Sequence, residues 1–352
     1  MIKITTPCRI HMTLIDMNAE IGRVDGGAGL TLSSPNILIT ADEADGVNIE
    51  GLQSFADRMK RAAESLLPEG KGIRINVQEV YPAHVGFGSG TQSSLAAAAA
   101  VNELYGLGMS VRELALAVKR GGTSGIGVAA FEKGGFIVDG GHKFKDKGGF
   151  MPSAASKVPP GPVLFREDFP QWEMVVAIPN DKGMHDQEEV ETFKKFCPLP
   201  VEEVREISHV VLMQMMPAVM EEDIVSFGAA VNHVQTVGFN KRESFIWPEF
   251  VKNIASFMRS RSYGAGVSSF GPVVYSFVDN KSEGKRLQAE VQKMLDDSVG
   301  GTVMPVKIVP HTQAFCNIAC FKIIKRNIPL SIYCFSIFTI FDFLIFSILF
   351  IF

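Results

Sequence analysis

The sequence predicts an α+β protein folded as two lobes, and three observations carry that reading. Strand-like and helix-like stretches cluster along the chain instead of alternating as strand–helix–strand units. A linker of Pro159-Pro160-Gly161-Pro162 divides the clusters into an expected N-terminal lobe over residues 1–158 and a C-terminal lobe over residues 163–318. At 352 residues and 46% hydrophobic content, the chain is too long for one small core and apolar enough for two packed lobes.

Each element follows from a local pattern. Met1-Ile2-Lys3-Ile4-Thr5 alternates as a first strand, and a glycine-rich stretch then opens a meandering β-layer through residues 30–40. Residues 54–67 have helical spacing and stop before Pro68. Residues 73–80 alternate as a half-buried strand. Ser93-Ser94-Leu95 and five alanines from Ala96 to Ala100 predict a closely packed helix that Gly106 ends. Ser110 and Glu113 have capping-box spacing for a helix running to Lys119. Beyond the linker, residues 174–178 read as a strand, and helical patterns cover 187–196, 202–216, 222–236 and 247–260. A glycine-rich turn at 264–271 leads into a strand over 273–278, a helix over 282–295 and a closing strand over 303–309.

Bulk composition narrows the function. Net charge is -4 and charges of both signs are interspersed, so no basic stripe suggests nucleic acid. Five scattered cysteines argue against a disulfide framework and for a reducing compartment. Cys316 and Cys320 have no nearby Cys or His pair and read as ordinary thiols rather than zinc ligands.

The central constellation is Pro82-Ala83-His84-Val85-Gly86-Phe87-Gly88-Ser89-Gly90-Thr91, set between the strand at 73–80 and the alanine-rich helix. Glycines let backbone N–H groups converge, and the helix N-terminus adds partial positive charge. Ser89 and Thr91 add hydroxyl donors. The loop lacks the Gly-Lys-Ser/Thr of a Walker A motif and the glycine spacing of a Rossmann fingerprint. Taken alone, the same residues read as a tight turn.

This loop resembles the phosphate loop of the GHMP kinase superfamily. Two further motifs stand in the superfamily's order: Pro7-Cys8-Arg9-Ile10-His11-Met12, and Gly264-Ala265-Gly266-Val267-Ser268-Ser269-Phe270-Gly271. The resemblance implies a ribosomal-protein-S5-domain-2-like N-terminal lobe and a ferredoxin-like C-terminal lobe. Superfamily kinases often carry Ser-Gly-x-Asp, whose aspartate deprotonates the substrate hydroxyl. Here the stretch is Ser124-Gly125-Ile126-Gly127, and a glycine cannot accept a proton. Arg9 through Asp16, Gly22-Arg23-Val24-Asp25-Gly26-Gly27 and residues 266–275 resemble the β-ribofuranosylaminobenzene 5′-phosphate synthases of the same superfamily.

That resemblance implies a reaction of methanopterin biosynthesis. Phosphoribosyl pyrophosphate condenses with 4-hydroxybenzoate or 4-aminobenzoate, a C–C bond forms at the ribose, and CO2 and pyrophosphate leave. It also implies a divalent cation such as Mg2+, a homodimer and a cytoplasmic enzyme. Gly86, Gly88, Ser89, Gly90, Thr91, Ser268 and Ser269 are the phosphate-binding candidates. Arg9 or Arg23 is placed to bind the benzoate carboxylate, His11 or Asp16 to accept a proton, and Asp25 completes the catalytic candidates. An Arg23–Asp25 salt bridge is the structural alternative for that pair. An ATP-dependent small-molecule kinase and a ligand-binding protein without turnover are the rival readings.

Weaker signals remain. His142 and His185 stand at expected strand ends or loops and read equally as surface histidines. Met213, Met215, Met216 and Met220 fall on a helical pattern and read as core filler. From residue 328 to 352, 14 of 25 residues are Ile or Phe. The run is long enough to span a bilayer and follows a basic cluster, yet contains Asp342. Its bias also matches translation of AT-rich sequence past a gene's end. Residues 320–352 are therefore expected to lie outside the fold and outside catalysis.

Overall fold

The computed structural model describes residues 1–152, 155–183 and 187–311, with the backbone of Asn317–Cys320. Met1–Phe321 form one compact unit. His185, Cys316, Cys334 and the apolar tail lie outside the described residues.

In chain order the first elements are β1 (Ile2–Asp16), β2 (Arg23–Glu43), β3 (Val47–Gly51), α1 (Ala56–Glu64), β4 (Ile73–Glu79), α2 (Ser89–Tyr105), α3 (Val111–Ala117), α4 (Ile126–Glu132), β5 (Phe136–Asp139), β6 (His142–Lys143), α5 (Phe144–Lys147) and β7 (Val163–Glu167). Then come β8 (Glu173–Pro179), α6 (Gln187–Phe196), α7 (Val201–Val210), a π-helical turn (Val211–Met215), α8 (Met216–Met220), α9 (Ile224–Val234), α10 (Gly238–Ser244), α11 (Glu249–Ser260), β9 (Gly264–Val267), β10 (Val274–Val278), α12 (Lys281–Asp296), β11 (Gly301–Val306) and β12 (Asn317–Cys320).

The first sheet runs β12-β1-β2-β4-β3, with β5 and β6 also on β2 and β7 on β5. β7 follows the Pro/Gly linker and β12 follows the second lobe's last strand, so chain from beyond residue 158 returns to this sheet. The β-layer read as short runs is largely two long antiparallel strands. Their ladder breaks register between His11 and Thr13, leaving Met12 as an extra residue.

α2 lies against this sheet and is buried from Ser89 to Asn102. A helix apolar or small on every side has no solvent face to present, and its alanines permit close approach. Gly106 ends it in the left-handed region at φ 60°, as the sequence predicts. The Ser110–Glu113 capping box forms, with both reciprocal bonds present, and α3 closes at Ala117, two residues short of the expected Lys119.

The second sheet is antiparallel in the order β11-β8-β10-β9. Numbered by appearance within the lobe, its strands stand 4-1-3-2, the ferredoxin-like arrangement. α11 and α12 bury Val251, Ile254, Met258, Leu287, Val291 and Leu295 against it. Of the methionines read as core filler, Met215 is buried, whereas Met213 and Met220 are 61% and 58% exposed. The π-helical turn shifts the helical phase there, so a uniform spacing argument fails.

Candidate functional site

The loop before α2 builds one end of a cleft. Gly86 and Gly88 sit at φ 107° and 77°, conformations that side chains disfavour. Gly88 is the N-cap of α2, and no side chain caps the helix. The N–H groups of Thr91 and Gln92 turn back to the Gly88 carbonyl at 3.0 and 3.1 Å, leaving the helix's first turn facing the cleft. No acidic residue occupies that turn.

Guanidinium groups gather around this helix end. Arg9 Nη1 donates to the Gly86 carbonyl, and its side chain lies against Gly88. Arg58 of α1 and Arg120 after α3 crowd Gly90, where an added Cβ would stand 2.5 Å from Arg58 Nη1 and 2.9 Å from Arg120 Nη2. Arg120 Nε donates to Thr91 Oγ1 at 3.3 Å. Burial lowers the Arg9 pKa to about 10, with Tyr81, Cys8 and Glu189 opposing the shift, so it stays cationic at neutral pH. Helix end and arginines together suit a polyanion.

Ser268 joins the three sequence motifs. Its Oγ donates to the Gly86 carbonyl at 2.8 Å and accepts from the His11 N–H at 3.0 Å. It is fully buried, so of the two serines read as phosphate ligands only Ser269 lines the cleft. Ser269 N–H also donates to the His11 carbonyl at 3.2 Å. His11 lines the cleft beside Arg9, and its Nε2 has no partner among the described residues. Burial, and then the Arg9 charge, lowers its pKa to about 3. The ring is therefore neutral at physiological pH and a weak proton acceptor, suited to hydrogen bonding rather than to base catalysis.

Part of the cleft wall is aromatic. Phe193, Phe239 and Phe270 pack with ring centroids 4.7 Å apart for Phe193–Phe239, 6.1 Å for Phe193–Phe270 and 6.0 Å for Phe239–Phe270, and Leu14 joins them. Phe239 comes from α10, a short helix without apolar periodicity. α10 is anchored from two sides. Glu203 accepts from the Gly238 N–H at 2.8 Å and pairs with the Arg242 guanidinium. Asn240 Nδ2 donates at 2.6 Å to the carbonyl of Met12, the bulged residue of β1. Asn240 and Glu243 face the cleft from the same helix. The whole cleft encloses about 1110 Å³ of space open to solvent.

The remaining candidates do not line it. Asp16 accepts from the Asn18 and Ala19 N–H groups at 2.8 and 2.9 Å and closes the β1–β2 turn. Arg23 donates to the Gly140 and Gly141 carbonyls. Asp25 pairs not with Arg23 but with Lys147, at 2.6 and 2.7 Å, and with His142 Nδ1 at 2.7 Å. His142 is buried, correcting its reading as a surface residue, and its Nε2 faces the Pro159 carbonyl at 3.0 Å. This ion cluster touches the cleft only indirectly: Lys147 Nζ donates at 3.1 Å to Thr123 Oγ1, and Thr123 lines the wall.

Gly127, in the place of the kinase aspartate, faces the cleft beside Thr91. Among the described residues, no group of three or more His, Cys, Asp or Glu is arranged to hold a metal ion. The cleft's carboxylates are Glu189 and Glu243, and arginines occupy its polyanion end, so the residues do not fit a protein-held divalent cation.

Comparison with known proteins agrees with this architecture. The family model "GHMP kinases N terminal domain" matches residues 53–135, and "GHMP kinases C terminal" matches residues 215–297. The chain is 47% identical over 285 residues to the β-ribofuranosylphenol 5′-phosphate synthase of Archaeoglobus fulgidus, covering 81% of this chain and 90% of that one. It is 45% identical over 296 residues to the protein of the same name from Methanocaldococcus jannaschii, covering 79% and 90%. Among solved structures, homoserine kinase from Cytophaga hutchinsonii superposes with a TM-score of 0.63 at 15% identity, covering 90% of this chain and 97% of that one. The mevalonate kinase of Methanococcus jannaschii gives 0.61 at 13%, covering 88% and 98%. At such identities the likeness to the kinases is one of fold.

Proposed function

The chain is a transferase that belongs to the β-ribofuranosylphenol 5′-phosphate synthase family on the GHMP kinase fold, and from that premise we propose that it joins phosphoribosyl pyrophosphate to 4-hydroxybenzoate. The mixed lining of the cleft supports this reading best: helix end and arginines suit the diphosphate, and three phenylalanines suit a flat ring. The relatives' name specifies a phenol, which favours 4-hydroxybenzoate over 4-aminobenzoate.

In the proposed reaction the ribose C1–O bond breaks and its electron pair leaves with pyrophosphate. The N–H groups at the start of α2 and the arginines stabilise that charge where it develops. The ring carbon bearing the carboxylate supplies a pair to C1, and the para oxygen feeds electrons into the ring. CO2 then leaves, and its bonding pair restores aromaticity. Arg9, at the loop and facing the cleft, is proposed to hold the substrate carboxylate or the diphosphate. Neutral His11 is assigned a hydrogen-bonding role, and Asp16, Arg23 and Asp25 support the strands behind the site. Mg2+ is proposed to arrive with the diphosphate. The enzyme is proposed to be a cytoplasmic homodimer. Among the described residues, no helix is long and apolar enough to cross a membrane.

The kinase reading lacks support at one position, since Gly127 offers no side chain to deprotonate an acceptor hydroxyl. The test is incubation with phosphoribosyl pyrophosphate and carboxyl-labelled 4-hydroxybenzoate. Labelled CO2 released together with pyrophosphate is expected. ADP formation from ATP with an alcohol, and no CO2 from benzoate, would overturn the proposal.

A further inference from the structure

The cleft that the phenylalanines line also carries a carboxyl group. Asn240 and Glu243 are three residues apart on α10, so their side chains share one helix face. Asn240 is held by Met12, whereas no side-chain hydrogen bond ties the Glu243 carboxyl to the described residues. Glu243 is only 5% exposed and lines the cleft beside the phenylalanines. A largely buried carboxyl that opens onto a binding cleft must be satisfied by whatever ligand displaces its water. Burial, followed by the negative charge of Glu189, holds its pKa well above the usual carboxylate range. In its protonated form it presents an O–H donor and a carbonyl acceptor together.

We infer that Glu243 reads the para substituent of the aromatic substrate, its carboxyl group hydrogen-bonding the ring hydroxyl in the phenylalanine-lined cleft. This rests on the aromatic-acid reading of the preceding section and adds the residue that sets ring specificity. A para-substituted benzoate is rigid, with a carboxylate at one end and a hydroxyl at the other. The cleft lining supplies all three kinds of group, arginines, phenylalanines and the Glu243 carboxyl. Unsubstituted benzoate would fill the aromatic pocket but leave the Glu243 carboxyl without a partner. A site built to hydrogen-bond a hydroxyl discriminates against such an analogue.

Calorimetric titration of the full chain with 4-hydroxybenzoate, benzoate and pyrophosphate tests this. Wild type should bind 4-hydroxybenzoate at least about 10-fold more tightly than benzoate. Glu243→Leu should weaken 4-hydroxybenzoate by about 10- to 100-fold, leave benzoate within about threefold and leave pyrophosphate unchanged. Glu243→Gln, which keeps a donor and an acceptor, should retain most of the preference. Should Glu243→Leu fail to fold, Glu243→Met, unbranched and closer in shape, makes the same comparison. An undiminished preference in the apolar variants, or an equal loss of both acids, overturns the assignment while the aromatic-acid reading stands. Failure of the wild type to bind either acid overturns both.

Discussion

Replacing Gly127 by aspartate separates charge at the helix end from shape. Gly127 lies in the first turn of α4 and faces the cleft. An added Cβ there would stand 3.4 Å from Thr91 Cβ and 3.5 Å from its Oγ1, ordinary contact distances, so the side chain fits. An acid in a helix's first turn is favourable, and the thermal midpoint should hold or rise slightly. The new carboxylate would lie roughly 6 Å from an anion seated at the start of α2, costing about 3 kcal/mol per unit of facing charge at an effective dielectric constant near 20. Pyrophosphate affinity should therefore fall about 100-fold. Gly127→Asn has the same shape without the charge and should stay within about threefold of wild type. Titration of both variants with pyrophosphate at low and physiological ionic strength is the assay. Equal losses in Asp and Asn variants, or no loss in either, would refute the placement of the diphosphate.

Three further outcomes follow from the same geometry. Gly88→Val puts a β-branched side chain at φ 77° against the Arg9 guanidinium, and phosphoribosyl pyrophosphate affinity should drop by about 100-fold or more; unchanged affinity in that variant removes the anion cradle. Arg9→Lys should lower kcat/KM by about 10- to 100-fold, because a point charge cannot both bond the Gly86 carbonyl and fork a substrate oxyanion; wild-type kinetics would make Arg9 structural. Burial raises the pKa of Asp139 to about 7 from an ordinary 3.8, so the folded state binds a proton that the unfolded state releases, and stability falls as pH rises between those values. Asp139→Asn should remove that slope in urea unfolding at pH 5 and pH 8, and parallel curves for the two proteins would rule it out.

The anion end of the site was legible in the sequence because its chemistry is local. Glycines at positive φ, a strand before them and a helix after them are contiguous, and the capping box and the Gly106 stop depend on neighbours in sequence. Arg58 and Arg120 were not legible, because an arginine on a surface-type helix or beyond its end ordinarily belongs to a solvated face. Phe193, Phe239 and Phe270 come from three separate segments, and α10 carries no periodic signal. The polar density around Asp16, Arg23 and Asp25 was real, but its causes are a turn closed by Asp16, backbone carbonyls held by Arg23, and an ion pair of Asp25 with a lysine 122 positions away. Spacing identifies partners three or four residues apart and is silent on those that only the fold brings together.

The bulge at Met12 also ties distant segments of the cleft wall together. A carbonyl inside a regular ladder is committed to its neighbouring strand, whereas this one receives amides of Gln235 and Asn240, from 223 and 228 positions downstream. One oxygen thus joins β1, which carries Arg9 and His11, to α10, which carries Phe239 and Glu243. In the proposed reaction pyrophosphate departs separately, and the condensed product keeps its ring and ribose phosphate on a single skeleton that reaches both segments. Under that proposal, product release rather than chemistry is expected to limit turnover.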